Sequence, residues 1–211
     1  MTEYTDYGYN NDNPCHAFTY MLQPLLSLLD KTKNTCILDL GCGNGYFVNY
    51  LVSKGFNAYG IDASEEGIAI ARQTNPGRFF IQDLSTGLLP REIADMPFDT
   101  IISTEVIEHL YNPYLFITLC KNVLSKTKGE LVISTPYHGY LKNLLLGIFN
   151  KWDTHMSPLW QGGHIKLWSF KTLSFLLNEQ GFTVTDFRGS GRIPYLWKSM
   201  IIKSTLKCPK V

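Results

Sequence analysis

A short run of glycines between a strand pattern and a helix pattern constrains the fold of this chain more than any other feature. The run reads DLGCGNG over residues 39–45. Residues 36–40 are mostly apolar, and residues 46–54 carry apolar side chains three and four positions apart, followed by Gly55. Glycines in such a turn let the backbone bend tightly and come close to a ligand, where a Cβ atom would collide. The sequence therefore predicts a strand, a ligand-binding turn and a helix.

The same alternation of strand and helix patterns continues along the chain. Short apolar runs that predict strands lie at residues 58–61, 79–82, 99–103, 130–134, 183–187 and 200–205. Apolar residues at helical spacing lie at residues 17–29, 64–74, 113–124 and 169–180. Ser64 and Ser169 are the expected N-caps of two of these helices. Strands that alternate with helices at this spacing predict a mostly parallel sheet covered on both faces.

Composition excludes several classes of protein. Of the 211 residues, 45% are hydrophobic and 18% are charged, far from the signature of a disordered chain. The 19 Lys and Arg residues nearly balance the 18 Asp and Glu residues, which disfavours nucleic acid as a partner. Five cysteines without a C-x-x-C pair, and an N-terminus without a secretory signal, predict a cytoplasmic protein. The most apolar stretch, residues 141–149, is too short for a transmembrane segment.

The glycine run also narrows the choice of ligand. The dinucleotide fingerprint G-x-G-x-x-G is not matched, because Tyr46 occupies the position of its third glycine. The phosphate loop G-x-x-x-x-G-K-[ST] does not occur in the sequence. Both observations disfavour a nicotinamide dehydrogenase and a nucleotide hydrolase.

The run D-x-G-C-G-x-G resembles the first motif of the class I S-adenosylmethionine-dependent methyltransferases. Acidic residues after the second and third strands, Asp62 and Asp83, stand in the order typical of that family. The resemblance covers roughly the whole chain. It implies an α/β fold with a Rossmann-like, doubly wound, seven-stranded mixed sheet of order 3-2-1-4-5-7-6. In that fold the last strand is antiparallel, helices cover both faces, and the ligand lies at the carboxyl ends of the strands.

The resemblance also assigns parts of the cofactor site. Asp62 would bind the ribose hydroxyls, and Asp83 with Leu84 would contact the adenine. We interpret Cys42 as a packing residue of the loop, since no base adjoins it in the sequence. The alternative is that the glycines form a plain turn and the aspartates cap loops. The residues implied to bind S-adenosylmethionine are Asp39, Gly41, Cys42, Gly43, Gly45, Asp62, Ala63, Asp83, Leu84 and Thr104.

A second motif, E-x-x-E-H, follows the fourth strand. If this segment is helical, Glu105, Glu108 and His109 lie on one face, because they are three and four positions apart. The motif looks like that of the ubiquinone-biosynthesis O-methyltransferases and of the small-RNA 3′-terminal 2′-O-methyltransferases, where such positions are associated with a divalent metal. The second family adds a distant His, for which His164 is the candidate. The resemblance thus implies a divalent metal site of Glu105, Glu108, His109 and His164. Carboxylate ligands favour Mg²⁺ or Mn²⁺, whereas two imidazoles favour Mn, Fe or Zn, so the identity of the metal stays open.

The candidate catalytic residues are His109, His164 and Glu105. Methyl transfer from a sulfonium is an in-line displacement that needs a deprotonated and aligned oxygen nucleophile. One of the two histidines would remove the proton as general base, or a metal ion would lower the pKa of the acceptor hydroxyl. The alternative is that Glu105 positions methionine or substrate groups, while Glu108 and His109 only cap and pack the loop.

We predict one methyltransferase domain over residues 1–211, with two accessory segments. Residues 1–30 form an N-terminal cap with a helix, and residues 136–168 form an insertion that acts as a substrate lid. Three tyrosines of the cap are expected to close over the cofactor: Tyr4, Tyr7 and Tyr9.

The lid is rich in aromatic side chains and histidines, which suits an acceptor pocket for an aromatic, sugar-like or lipid-like small molecule. These side chains are Tyr137, His138, Trp152, His155, Trp160, His164 and Trp168. The alternative is that the tryptophans only pin the insertion onto the sheet. Residues 144–149 are consistent with peripheral membrane contact, but we favour an amphipathic helix packed on the protein.

We therefore predict O-methylation of a hydroxyl group on a small molecule. One alternative is 2′-O-methylation of an RNA end, which E-x-x-E-H and a distant His encourage and the near-zero net charge disfavours. Another alternative is a partner protein that binds S-adenosylmethionine without catalysis.

Overall fold

The computed structural model describes residues 7–156, 158–160 and 162–207. Seven strands form one sheet in the order β3-β2-β1-β4-β5-β7-β6. The strands are β1 (Ile37–Leu40), β2 (Ala58–Asp62), β3 (Phe79–Ile81), β4 (Thr100–Thr104), β5 (Glu130–Pro136), β6 (Phe182–Ser190) and β7 (Ser199–Leu206). The helices are α1 (Phe18–Leu26), α2 (Tyr46–Ser53), α3 (Glu65–Arg72), α4 (Pro113–Leu124), α5 (Tyr140–Ile148), α6 (Trp152–Met156) and α7 (Phe170–Glu179).

The strand directions confirm the predicted topology. Strands β1 to β5 pair in parallel, whereas β7 pairs antiparallel with both β5 and β6. All four residues of β1 are buried, because helices cover both sides of the sheet. The continuous apolar runs of the sequence have the same physical origin.

Two hydrophobic clusters, one on each face of the sheet, form the core. One cluster joins Phe116 of α4 and Leu177 of α7 to the sheet. The other joins Met21 of α1, Phe47 of α2 and Ile68 of α3 to the opposite face. The helices therefore cover both faces, as predicted.

Local capping explains where the helices begin. The Ser64 hydroxyl accepts a hydrogen bond from the Gly67 amide at 2.9 Å, which caps α3. Ser169 and Thr172 form a reciprocal capping box at the start of α7. The first helix ends at Leu26, three residues before the predicted end at Leu29, and contains Pro24.

The segment predicted as a lid contains α5 and α6. The prediction that residues 144–149 form an amphipathic helix packed on the protein was wrong for Leu144, Ile148 and Phe149, which are exposed, whereas Leu145 and Leu146 are half-buried. The single buried residue of this helix is Lys142. Among the described residues, no helix has both the length and the apolar character needed to cross a bilayer.

Candidate active site

The glycine run forms a tight turn at the carboxyl end of β1. Gly41, Gly43 and Gly45 have φ values of 84°, 55° and 74°, which residues with a Cβ atom rarely adopt. A Cβ atom on Gly45 would collide with Ala71 and come within 2.8 Å of the Phe79 ring. The third glycine of the run is therefore needed for helix-to-sheet packing, not only for approach to a ligand.

The carboxylate of Asp62 holds this turn against the end of β2. Its Oδ2 atom accepts a hydrogen bond from the Gly43 amide at 2.7 Å, and its Oδ1 atom accepts one from the Ser64 amide at 2.8 Å. The residue that the family resemblance assigns to the ribose thus also joins the glycine run to the start of α3. The bond from Ser64 is the loop cap given above as the alternative role of this aspartate, whereas the sequence pattern did not indicate the bond from Gly43.

Asp39 is a buried acid at the base of the same turn. Its Oδ1 atom has no hydrogen-bond partner among the described residues. Burial, and then the nearby charge of Asp62, raise the pKa of Asp39 to about 8. A positively charged group would compensate this carboxylate, and S-adenosylmethionine carries a sulfonium and an ammonium group. The site therefore fits this cofactor on the chemistry of its donors.

The other predicted cofactor residues lie at the same edge of the sheet. Asp83 follows β3 and accepts a hydrogen bond from the Ser85 amide at 2.8 Å, which caps a 3-10 turn that begins at buried Leu84. Ala63 follows β2 directly, and Thr104 is the last residue of β4.

The Cys42 thiol points into the packing between the glycine run and β2. A Cβ atom on Gly60 would lie 2.7 Å from the Cys42 sulfur. Burial raises the pKa of the thiol well above its usual value. The thiol therefore has the character of a packing group, as interpreted from the sequence, and not of a nucleophile.

Glu105 lies outside the short helical turn that follows β4. That turn is a 3-10 helix over Ile107–His109, and Glu105 has a left-handed backbone with φ of 55°. The expectation that Glu105 shares a helical face with Glu108 and His109 was therefore wrong. The backbone leaves β4 through a left-handed residue before it turns.

The Glu105 carboxylate instead faces β5 and β7. The Ser134 hydroxyl donates to its Oε1 atom at 2.9 Å, and the Ser199 hydroxyl donates to its Oε2 atom at 3.2 Å. The Tyr20 hydroxyl lies 3.3 Å from that of Ser199 and links the group to α1. Burial raises the pKa of Glu105 to about 7, against the opposing effect of the two serine bonds.

Glu108, His109 and His164 form a compact group. One ligand-type atom from each side chain lies within 4.8 Å of the others. Glu108 is fully buried and accepts a hydrogen bond from the Thr135 hydroxyl on Oε2. Its Oε1 atom has no hydrogen-bond partner among the described residues and lies 3.9 Å from Nε2 of His109. The Nδ1 atom of His109 lies 3.2 Å from the Gly163 carbonyl oxygen. The structure therefore brings the distant His164 to the E-x-x-E-H motif and leaves Glu105 outside the group.

Backbone hydrogen bonds hold the lid against this group. The amides of Ile165 and Lys166 both donate to the carbonyl oxygen of Glu108, at 3.0 and 3.1 Å. The sequence contains no local signal for this contact, because Glu108 and residues 165–166 are far apart in the chain and do not pair as neighbouring strands of the sheet.

Burial sets the protonation of the group. It raises the pKa of Glu108 well above its usual value, and the charge of Glu105 acts in the same direction. It lowers the pKa of His109, and it lowers that of His164 to about 4 with help from His109. Burial thus favours the protonated carboxyl of Glu108 and the neutral imidazoles of His109 and His164, and each neutral imidazole has a lone pair for a proton or a metal ion.

Aromatic rings connect the N-terminal segment to the lid. The ring centroid of Tyr7 lies 5.1 Å from that of Tyr9 and 5.9 Å from that of Trp160. The ring centroid of Trp160 in turn lies 6.1 Å from that of His109. A Cβ atom on Gly43 would collide with the Tyr9 ring, so this ring covers the glycine run. Tyr4 lies outside the described residues.

The tryptophans of the lid divide between two roles. Trp168 is buried in the core cluster and pins the end of the insertion onto the sheet. Trp160 is 46% exposed and lies at the group of histidines. Lys142 of the same segment, which sequence reasoning did not select, is also buried.

The strand order, the glycine turn and the acidic strand ends together define a Rossmann-like, S-adenosylmethionine-dependent methyltransferase. The family model described as methyltransferase domain matches residues 15–186, so this chain belongs to the methyltransferase domain family. A curated relative is the ubiquinone biosynthesis O-methyltransferase of Ruegeria sp. (strain TM1040). It is 27% identical over 196 residues, which cover 88% of this chain and 78% of the relative.

Two solved structures share the fold. The magnesium protoporphyrin IX methyltransferase of Synechocystis PCC 6803 with bound SAH superposes with a TM-score of 0.65 at 20% identity, over 89% of this chain and 82% of that one. An S-adenosylmethionine-dependent methyltransferase of Mesorhizobium loti gives a TM-score of 0.65 at 18% identity, over 88% of this chain and 97% of that one.

Proposed function

We propose that this methyltransferase acts on a hydroxyl oxygen of a small molecule. The observation that carries the proposal is the group of Glu108, His109 and His164, which faces the lid beside the carboxyl end of β4. The Ruegeria relative is named for O-methylation, which supports oxygen as the acceptor atom. The near-zero net charge of +1 favours a small molecule over nucleic acid.

The residues at the strand ends divide the work of binding the cofactor. Asp39 compensates its positive charge, Asp62 binds the ribose, and Asp83 with Leu84 contacts the adenine. Ala63, Thr104 and the glycine run with Cys42 form the surrounding walls. The cofactor, when bound, supplies an electrophilic methyl group on a sulfonium.

His109 removes the proton of the acceptor hydroxyl in this mechanism. A carbonyl oxygen can only accept, so the Gly163 contact places the ring proton on Nδ1 and leaves the lone pair on Nε2. The hydroxyl proton would move to Nε2 as the oxygen–carbon bond forms and the bond between the methyl carbon and the cofactor sulfur breaks, which leaves S-adenosylhomocysteine. Glu105, held by Ser134 and Ser199, orients the methionine or acceptor groups, and His164 lies beside His109.

The same group also fits a divalent cation, which gives a second arrangement for the same reaction. The unpartnered Oε1 atom of Glu108 and two imidazole nitrogens offer a mixed oxygen and nitrogen ligand set that suits Mn²⁺ and, less well, Mg²⁺. The Gly163 carbonyl would orient His109 as an outer partner. A bound cation would lower the pKa of the acceptor hydroxyl.

The lid and the N-terminal segment complete the proposed site. Residues 136–168 cover the acceptor, and the rings of Tyr7 and Tyr9 close over the cofactor side. Both segments belong to one methyltransferase domain over residues 1–211. The cytoplasmic location that the cysteine pattern suggests stays a prediction, and the four described cysteines are free.

The test uses isotopically labelled S-adenosylmethionine with a catechol, a phenol, an aliphatic alcohol and a short RNA with a terminal 2′,3′-diol. We expect a labelled methyl ether on a small molecule in the presence of a chelator. His109→Asn should lower the rate about 100-fold or more, whereas the exposed control Glu92→Gln should retain it.

The other outcomes are equally specific. Activity that is lost in chelator and restored by Mn²⁺ or Mg²⁺ supports the arrangement with a cation. Label found only on the RNA supports 2′-O-methylation, which the approach of His164 to the motif favours. A protein that binds S-adenosylhomocysteine but labels no hydroxyl oxygen contradicts the proposal.

A further inference from the structure

Helix α5 carries a lysine on its buried side. Lys142 is 6% exposed, whereas its apolar neighbours Leu141 and Leu144 are 42% and 43% exposed. Apolar burial would favour the opposite rotation of this helix. The orientation of α5 therefore places an ammonium group inside the protein at the expense of leucine side chains.

No described carboxylate forms an ion pair with Lys142. Its Nζ atom lies 3.3 Å from the Lys198 carbonyl oxygen, which already accepts a hydrogen bond from the Tyr137 amide at 3.0 Å. That carbonyl therefore does not require the lysine. Burial and the positive charge of Arg192 lower the pKa of Lys142 to about 8, against the opposing effect of the Glu105 carboxylate. A buried ammonium without an ion pair is costly, so a structural role alone does not account for it.

Two histidines lie near the lysine. His138 is 5% exposed, and both of its ring nitrogens are buried without a partner among the described residues. Its ring centroid lies 5.4 Å from that of His155. The charge of Lys142 acts on both histidines, and that of Arg192 acts on His155. Four basic side chains from α5, α6 and two loops thus act on one another electrostatically.

This region adjoins the proposed acceptor site. Ser199, the residue after Lys198, donates its hydroxyl to Glu105 at 3.2 Å. The charges of His155 and Lys142 also reach His164. A molecule whose hydroxyl lies at His109 and His164 could therefore extend toward Lys142.

We propose that Lys142, together with His138, His155 and Arg192, binds an anionic group of the acceptor, a carboxylate or a phosphate. The ammonium and the imidazole N–H groups are donors that such an anion accepts. The anion supplies the ion pair that Lys142 lacks among the described residues, and it holds the acceptor so that its hydroxyl meets the base. That the anion belongs to the methyl acceptor rests on the function proposed above, but anion binding at Lys142 can be measured by itself.

The test is a calorimetric titration of inorganic phosphate and, separately, of benzoate into the full-length protein, with and without S-adenosylhomocysteine. We expect saturable binding of at least one of the two anions, which also identifies the preferred class. Lys142→Met should weaken that binding about tenfold or more, and Lys142→Arg should restore most of it. The exposed lysine of the same segment is the matched control, so Lys151→Met should bind as the wild type does.

Thermal unfolding separates a binding role from a structural one. Removing an uncompensated buried charge should leave the melting temperature of Lys142→Met equal to that of the wild type or higher. Wild-type protein that binds neither anion, or Lys142→Met protein that binds as tightly as wild type, would overturn the inference. Binding of S-adenosylhomocysteine reports on the proposed function separately, because Lys142 lies outside the cofactor site and its variants should bind that compound normally.

Discussion

The imidazole ring of His164 stands edge-on to that of His109, with the ring centroids 5.0 Å apart and the planes inclined by 68°. One ring follows the fourth strand and the other belongs to the lid, so the contact joins the sheet edge to the segment that covers it. The backbone amides that bind the Glu108 carbonyl hold the same two segments together. Chemistry at this site therefore depends on the lid being in place.

The pH dependence of the rate should report the neutral state of His109. Burial lowers its pKa below the usual 6.5, so the ring stays unprotonated and competent as a base down to pH values below 6.5. We expect the acidic limb of kcat/KM, measured in chelator, to lie below pH 6.5 and to be missing from the residual activity of His109→Asn. An acidic limb well above pH 6.5 would instead point to a different titrating group.

The group of Glu108, His109 and His164 should bind Mn²⁺ in protein loaded with S-adenosylhomocysteine. Glu108→Gln replaces the ligand carboxylate with an amide and should weaken the binding at least tenfold in a calorimetric titration, whereas Glu92→Gln should not. Burial raises the pKa of Glu108, and ligation requires its ionised form, so the affinity should increase with pH. Equal affinity in the wild type and Glu108→Gln would exclude this carboxylate as a ligand.

Asp39→Asn should change how stability depends on pH. Burial raises the pKa of Asp39 in the folded protein to about 8 from its ordinary value of 3.8, so the folded state holds a proton that the unfolded state releases. The contribution of Asp39 to the free energy of unfolding is fully present below about pH 4 and is lost as the pH rises through about 8. The free energy of unfolding of Asp39→Asn, relative to wild type, should therefore increase from pH 4 to pH 8 in denaturant titrations.

The same variant should bind the cofactor more weakly. An amide cannot compensate a positive ligand, so Asp39→Asn should bind S-adenosylmethionine with reduced affinity even where it is more stable.

In the stability experiment, a difference in unfolding free energy between Asp39→Asn and wild type that does not vary with pH would mean that Asp39 is ionised in the folded protein.

Gly45→Ala should destabilise the protein by roughly 2–4 kcal/mol, the sum of a left-handed backbone cost and an overpacked core. The φ value of 74° disfavours a Cβ atom, and that atom would meet Ala71 and the ring of Phe79. Gly77→Ala is the control, because nothing lies within 4 Å of its Cβ position. Chemical denaturation of the two variants should separate them clearly, and equal stabilities would contradict the packing role of Gly45.

Much of the scaffold was predictable from local sequence. Short apolar runs located all seven strands. Ser64 and Ser169 marked two helix starts, which their hydroxyls cap in the structure. The glycine motif and the acids after the strands indicated the cofactor edge. These features are local, because a strand end, a cap and a tight turn each depend on a few neighbouring residues.

The arrangement of the proposed catalytic residues was less predictable. Spacing placed Glu105 on a helical face with Glu108, but a left-handed residue separates it from the 3-10 turn and directs it to Ser134 and Ser199. His164 was suggested by family resemblance and not by its own surroundings in the sequence. Its approach to His109 depends on a long segment folding back over the sheet.

The sequence by itself located the strands, the helices α1 to α4 and α7, and the glycine turn, since hydrophobic pattern and backbone restrictions act within short stretches of chain. The order of the strands was implied by the family resemblance. Only the tertiary structure decided which side of α5 is buried. The helical period shows that Leu144 and Ile148 share a face, but it cannot show that Lys142 turns inward. That choice depends on carbonyls, histidines and charges contributed by distant strands and loops.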